Sequence, residues 1–425
     1  MKTILIKQAQ LDGVTVDVLI EGNTIKMIAD SMGKEADVII DATNKALLPG
    51  FANSHTHSAM TLFRGLGEDI PLMEWLHQYI WPYESQLTQE MVYWGAKLAC
   101  VEMIHSGITC FNDLYWHLPG TLLAAEEMGI RSVQAYSWID FFQKERAESH
   151  KIELSKVYET SNMWSEISRF SVGPHAIYSV SAESLQWMAA FAREHRLMFH
   201  IHLAESQTEY NDSIKNFGVT PTRYLYDLKI LGPNVVAAHG IWLSPEDIQI
   251  LGDHSVNVVH NPNSNLKLAS GYKFKYNELK ESGVRVCLGT DGCASSNNLD
   301  MLETMKRAAF LQKAWRRDPA VMPLNELMSI ASFHGYQAMG FHAGKVEVGW
   351  LADLILIDLR QPVFVPNHNF YANLIYAANG SVVDTVICNG QILMEHKKIE
   401  GEEYIMEMAQ LMAEKLTQPK PVPET

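Results

Sequence analysis

The sequence predicts an α/β protein, a distorted (β/α)8 TIM barrel joined to a small β-sandwich formed from both chain ends. Three observations predict it. Between residues 49 and 349, eight short apolar runs rich in β-branched residues alternate with segments of helical length. The flanks, 1–48 and 350–425, carry instead the period-two alternation of hairpins packed on one face. Histidine or aspartate stands at or near the end of most of the eight central runs.

In chain order, ILIKQAQL, VTVDVLIEGNTIKMIA and ADVIIDATNKALL form the first flank, broken at Gly13, Gly22-Asn23 and Gly33. The eight barrel strands are read at LLPGFANSH, TCFND, RSVQAYS, RFSVGPH, LMFHIHL, VVAAH, SVNVVHN and VRVCLGTD. Helical segments bridge most of them. Over Thr88 to Ser106, Thr88 supplies a cap, Met91, Trp94, Leu98 and Val101 share a face, and Gly107 is a stop. GWLADLILIDL and SVVDTVICNGQILMEHKKI return to the alternating texture. A terminal helix over Glu402 to Lys415 presents Ile405, Met408, Met412 and Leu416 on one side, and QPKPVPET reads as an extended tail. The competing doubly wound sheet would carry G-x-G-x-x-G after a strand, and no strand here does.

Composition narrows the function. A chain of 425 residues, 47% hydrophobic and 20% charged, buries a large core rather than staying disordered. Its formal net charge of -15 argues against a nucleic-acid partner, which demands clustered Lys and Arg. MKTILIKQAQLDG lacks the apolar stretch of a secretory signal, and no run approaches the ~18 residues of a membrane span. A cytoplasmic protein is expected. Five cysteines without C-x-x-C spacing read as reduced thiols, neither a disulfide framework nor a zinc knuckle.

The strand ends carry the chemistry, as barrel enzymes require. His55 and His57 end the first strand, and on an extended segment residues i and i+2 face one way, so both rings can grip one ion. His175, His202, His239 and His260 end the fourth to seventh strands and Asp291 the eighth. From these, His55, His57, His202 and Asp291 are chosen as the ligands of one divalent ion per chain. Neutral imidazoles with one carboxylate suit zinc, with iron(II) as the alternative, and leave room for a water. Glu205, three residues after His202, can take a proton from an attacking water and pass it to a substrate nitrogen. A glutamate favoured at a helix N-terminus is the simpler reading, and the two are compatible. His200 reads as packing beside the ligands. His260 reads equally as a turn or a substrate-loop residue, His175 as a turn or a substrate contact, and Asp113 as a loop or network residue. His105, His117 and His195 read as structural.

Taken together, PGFANSHTHSAMTLFRG, EWLHQYIWPYES, HLAES, AAHGIWL, HNPNSNLKLASG and LGTDGCASSNNLDM resemble the amidohydrolase superfamily. Within its mononuclear aminohydrolase and chlorohydrolase branch, the chain is most similar to 5-methylthioadenosine/S-adenosylhomocysteine deaminases. The resemblance implies hydrolytic deamination of an adenine nucleoside (5-methylthioadenosine, S-adenosylhomocysteine, adenosine or 5'-deoxyadenosine type) to ammonia and the inosine derivative. It gives Glu205, His239 and Asp291 catalytic roles, with His239 orienting the nucleophile and stabilising the adduct. Trp75, Glu84, His175 and Glu205 match positions near the substrate, Glu84 being suited to ribose hydroxyls. A homo-oligomer is implied too.

The same scaffold serves deaminases and dechlorinases of guanine, pterin, cytosine-like and s-triazine rings, which form the alternative. Binuclear members of the superfamily carry a lysine after the fourth strand. RFSVGPHAIYS has none, so a single metal is implied. Relatives that accept S-adenosylhomocysteine can use arginines beyond the third strand, where SVQAYSWIDFF presents Tyr136, Ser137 and Trp138. Either Lys144 and Arg146 substitute, or the pocket prefers an uncharged 5'-substituent.

Overall fold

A computed structural model of the chain describes residues 2–33 and 35–417. In it the first flank forms β1 (Thr3–Leu11), β2 (Val14–Glu21), β3 (Thr24–Ala29), β4 (Val38–Asp41) and β5 (Lys45–Pro49). The central strands are β6 (Phe51–Thr56), β7 (Ile108–Tyr115), β8 (Arg131–Trp138), β9 (Ser168–Pro174), β10 (Met198–Leu203), β11 (Val235–His239), β12 (Asn257–His260) and β13 (Arg285–Leu288). β14 (Leu354–Asp358), β15 (Val383–Cys388) and β16 (Gln391–Met394) complete the set.

The chain ends build one mixed sheet, ordered β16-β15-β14-β5-β1-β2-β3, with β4 also paired to β1. The expected sandwich is thus a single continuous sheet around its own apolar cluster. Period-two alternation explains how it does two jobs. Leu354 and Leu356 of β14 point into that cluster with Ile4, Ile6, Val18 and Ile20. Ile355 and Ile357 point the other way, into the barrel's core.

The eight central strands are parallel and adjacent in sequence order from β6 to β13. Side chains and turn backbone, rather than a regular ladder, close the seam between β6 and β13. Asn53 Nδ2 donates to Thr290 Oγ1 (2.7 Å), and the Thr290 amide donates to Asn53 Oδ1 (3.0 Å). Thr56 Oγ1 donates to the Asp291 carbonyl (2.9 Å), and the Asp291 amide to the His55 carbonyl (3.1 Å).

Two sequence expectations change in detail. LLPGFANSH is two strands, because the chain crosses from the mixed sheet to the barrel at Gly50. A Cβ there would stand 2.0 Å from Thr109 Oγ1, so only glycine fits the crossing. The helix Gln89–His105 is capped by Thr88 as expected, but Val92, Ala96, Ala99 and Met103 form its most buried face. Met91, Trp94 and Leu98 are only partly buried. They contribute to the cluster that includes Ala409, Met412 and Leu416 of the helix Glu402–Thr417. Covered on two sides, the helix has no single apolar stripe to read. The QPKPVPET tail lies outside the described residues.

At the opposite end of the barrel strands from the histidines, Arg131 opens β8 and meets the mixed sheet. Its Nε donates to Asp353 Oδ2 (2.6 Å), and its Nη2 to Asp353 Oδ1 (3.1 Å) and Asn389 Oδ1 (2.7 Å). The Asn389 amide donates to Asp353 Oδ1 (2.8 Å). Both charged side chains are buried.

Candidate active site

The C-terminal ends of the barrel strands bring together the residues picked out in the sequence. His55 is buried on β6, with His57 just past it. His202 is on β10, His239 ends β11, and Asp291 follows β13 by three residues. Asp291 Oδ1 lies 3.2 Å from His57 Nε2 and 3.3 Å from His55 Nε2, and His202 Nε2 lies 3.2 Å from His57 Nε2.

The partners of the opposite ring nitrogens fix the tautomers. His57 Nδ1 donates to the Leu114 carbonyl (2.6 Å) and His202 Nδ1 to the His175 carbonyl (2.8 Å). Their Nε2 atoms therefore carry lone pairs. His55 Nδ1 lies 2.9 Å from His200 Nε2, and its own Nε2 is buried with no hydrogen-bond partner. Burial lowers the proton affinity of two rings: His55 falls to about 4 and His202 well below the usual histidine value. Burial opposes it, but the adjacent His55, His57 and His239 hold the Asp291 carboxyl well below the ordinary carboxylate range.

The lone pairs of His57 and His202 beside an Asp291 oxygen repel one another at such spacing unless a cation stands among them. Donors held about 2.0–2.1 Å from a tetrahedral zinc stand roughly 3.3 Å apart, the spacing seen here between Asp291 and two of the rings. The residues fit a metal ion.

His239 differs from the other three rings. Although its nitrogen lies close enough to group with those of His55 and His202, its Nδ1 accepts from Asn265 Nδ2 (3.1 Å). The proton therefore sits on Nε2, 3.7 Å from Glu205 Oε2. A ring that presents N–H cannot offer a lone pair at the same atom, so His239 is built as a donor. Glu205 is nearly buried, and burial next to Asp291 pushes its carboxyl up to about 8.

Backbone strain gathers at the same place. Ala204, His239 and Asp291 have φ of 50°, 77° and 59°, a region that side-chain-bearing residues seldom occupy.

One cavity exposes His57, His202, Glu205, His239 and Asp291 together, and Trp75, Glu84 and His175 line it as well. His55 stands behind His57, fully buried. Trp75 is fixed by its Nε1 donating to the Leu66 carbonyl (3.1 Å). Burial raises the Glu84 carboxyl, with Tyr115 and Trp116 opposing the shift. Tyr115, whose buried hydroxyl has no hydrogen-bond partner, ends β7 two residues beyond Asp113, where the TCFND run stops in the sequence. Asp113 holds the Ser58 amide (2.7 Å), a network role beside His57. His260 stacks on Phe274 with centroids 4.1 Å apart, and both its nitrogens are buried without partners.

Trp81, Glu84, Tyr115 and Ser137 are shared with an outer chamber of about 890 Å³. There Tyr136 donates to Glu153 (2.9 Å) and lies 3.0 Å from His150 Nδ1. Neither Lys144 nor Arg146 lines this chamber; the Arg146 guanidinium rests 5.5 Å from the Phe141 ring centre, and the lining cation is Lys156.

A parallel barrel with this histidine and aspartate constellation defines a hydrolase of the amidohydrolase class. The chain belongs to the amidohydrolase family, whose profile matches residues 46–393. It is 43% identical to the 5'-deoxyadenosine deaminase of Methanospirillum hungatei over 92% of this chain and 87% of that protein. It is 41% identical to 5-methylthioadenosine/S-adenosylhomocysteine deaminase 1 of Archaeoglobus fulgidus over 97% and 99%. Among solved structures, an adenosine deaminase from Xanthomonas campestris with bound zinc superimposes with a TM-score of 0.92 at 28% identity, covering 97% of this chain and 98% of that one.

Proposed function

We propose that the chain is a metal-dependent hydrolytic deaminase of adenine nucleosides, releasing ammonia and leaving the inosine derivative. The observation that carries this reading is the opposed protonation of the mouth. His57 and His202 aim lone pairs inward beside Asp291, while His239 aims an N–H toward the cavity. The names of the relatives support the adenine nucleoside.

His55, His57, His202 and Asp291 would hold the ion, and the three-nitrogen, one-oxygen donor set favours zinc. A divalent ion there supplies Lewis acidity, lowering the pKa of water from 15.7 towards ~7. The protein's own groups do the rest. Glu205 as the carboxylate takes a proton from the attacking water, holds it as the neutral acid that its burial favours, and delivers it to the ring nitrogen beside the amine-bearing carbon. His239 Nε2–H donates to the oxygen that becomes negative as the carbon turns tetrahedral. Glu84 accepts from ribose hydroxyls, and Trp75 and His175 bound the base and sugar. With no arginine lining the outer chamber, a small uncharged 5'-substituent fits better than an amino acid.

The reading includes a cytoplasmic, homo-oligomeric enzyme. Five unpaired, buried cysteines agree with a reducing compartment. No helix among the described residues is long and apolar enough to cross a membrane. The deciding experiment is ammonia release by the zinc-loaded protein from adenosine, 5'-deoxyadenosine, 5-methylthioadenosine, S-adenosylhomocysteine and guanine. Turnover of the adenine nucleosides is expected, with 5'-deoxyadenosine among the best. Release from guanine alone would replace the substrate class, and release from none would overturn the reading.

A further inference from the structure

Glu209 is a buried carboxylate for which neither the metal set nor the proposed chemistry has a use, and both of its oxygens are engaged. Oε1 accepts from the Ala204 amide (2.9 Å) and Oε2 from the Glu205 amide (2.8 Å). It occupies the third position of the helix Gln207–Phe217, whose capping residue Ser206 accepts from the Glu209 amide (3.1 Å). In an ordinary capping box the acidic residue reaches back to the amide of the cap itself. Here it passes the cap and seizes the two amides before it.

Those amides flank a left-handed residue. Ala204 has φ of 50°, a conformation disfavoured for any residue bearing a Cβ. Its carbonyl is held from the other side by the Ile241 (3.0 Å) and Trp242 (2.9 Å) amides, just beyond His239. Released, the Ala204 backbone would move toward the right-handed or extended regions, and the Cα–Cβ direction of Glu205 would swing with it. Among the described residues no other polar group aims Glu205, whose carboxylate makes no hydrogen-bonding contact closer than the 3.7 Å approach to His239.

We infer that Glu209 is a positioning residue for deamination, a two-pronged clamp that holds the Ala204 turn in its left-handed form and thereby keeps the Glu205 carboxyl at the reacting atoms. This rests on the reading of Glu205 as the proton carrier. It acts on aim rather than affinity, so it enters kcat before KM. A displacement near 1 Å costs about 10²-fold in rate.

The test compares wild type, Glu205→Gln, Glu209→Gln and the double variant Ala204→Gly/Glu209→Gln, all zinc-loaded, with 5'-deoxyadenosine and adenosine as substrates. Glutamine keeps the volume of Glu209 but sets an NH2 group against a backbone N–H. Expected for Glu209→Gln is a 10- to 100-fold fall in kcat, KM within about threefold, and zinc still near one per chain. Glycine at 204 accepts a positive φ without the clamp, so the double variant should regain several-fold in kcat, a rescue that a plain helix cap would not give. Hydrogen exchange over 203–206 should speed up in Glu209→Gln.

Kcat within twofold of wild type, a loss of activity matched by loss of zinc, or no rescue by Ala204→Gly would each overturn the inference. If Glu205→Gln is inactive while Glu209→Gln is normal, the clamp alone fails. If wild type deaminates neither nucleoside, or Glu205→Gln turns over normally, the reading of the site fails and takes the clamp with it.

Discussion

Two buried polar clusters sit at opposite ends of the barrel strands, and they are built on contrary plans. At the junction with the mixed sheet, Arg131, Asp353 and Asn389 satisfy one another: donors meet acceptors, and opposite charges neutralise. At the mouth, His57 and His202 turn their donors away from the centre and their lone pairs toward it, and His55 Nε2 and both nitrogens of His260 have no partners. Burial of polar groups is expensive in both places. A cluster that closes on itself holds the fold, whereas one left open keeps its binding capacity for something that arrives later.

The largest expected effect breaks the mouth. His202→Ala should drop metal content from near one ion per chain to near none and cut deamination by about 10⁴-fold or more. The thermal midpoint of the metal-free protein should barely move; elemental analysis and a melting curve check this. Retained metal would mean that the open cluster is not the ligand set.

The junction should respond the other way. Asp353→Ala strands a buried guanidinium and should cost about 3–5 kcal/mol in urea unfolding, while the folded fraction keeps its metal and its kcat. Equal loss of both would show that the two ends are not separable.

A third measurement asks to which plan the outer chamber belongs. Tyr136 already has Glu153, so this network is closed and does not wait for a carboxylate. The kcat/KM for 5'-deoxyadenosine should exceed that for S-adenosylhomocysteine by about 10-fold or more. Equality would mean that Lys156 or a rearranged loop receives the amino acid.

The smallest effect concerns acid. Burial pushes His260 down to about 3 in the fold, against about 6.5 when unfolded. Below pH 6.5 the unfolded chain therefore binds the extra proton. The stability from a neutral His260 is complete above pH 6.5 and lost as pH falls toward 3. His260→Leu should flatten that decline by ~1–2 °C per pH unit in melting curves. An unchanged slope would exclude His260 as the source.

What the sequence revealed and what it hid follow the same division. Strand ends were legible because β-branched runs stop at polar residues, so His55, His57, His202, His239 and Asp291 could be listed before any geometry existed. Their protonation was not legible, since it is set by the carbonyls of Leu114 and His175, which carry no residue-type signal. Arg131 and Asp353 stand 222 residues apart with no pattern between them. Gly50 was plain as a residue and silent as a crossing point, because the obstacle is Thr109 from another strand. Ser206 and Glu209 did carry the capping spacing, but that motif foretells a shorter reach. Lys144 and Arg146 were the nearest cations by number, yet the helix Lys144–Ser161 brings Lys156 to the chamber instead.

The seam between β6 and β13 has a consequence for how the protein is made. It joins Asn53 to Thr290 and Thr56 to Asp291 across 237 and 235 residues. His55 and His57 lie on one side of it and Asp291 on the other. Contacts of such separation form only after the intervening chain exists. A nascent chain that has not yet delivered residue 291 therefore has three imidazoles and no carboxylate to complete the set. If the proposed ligand set is right, truncated products of synthesis cannot complete it, and full metal binding would mark a barrel whose last strand has arrived.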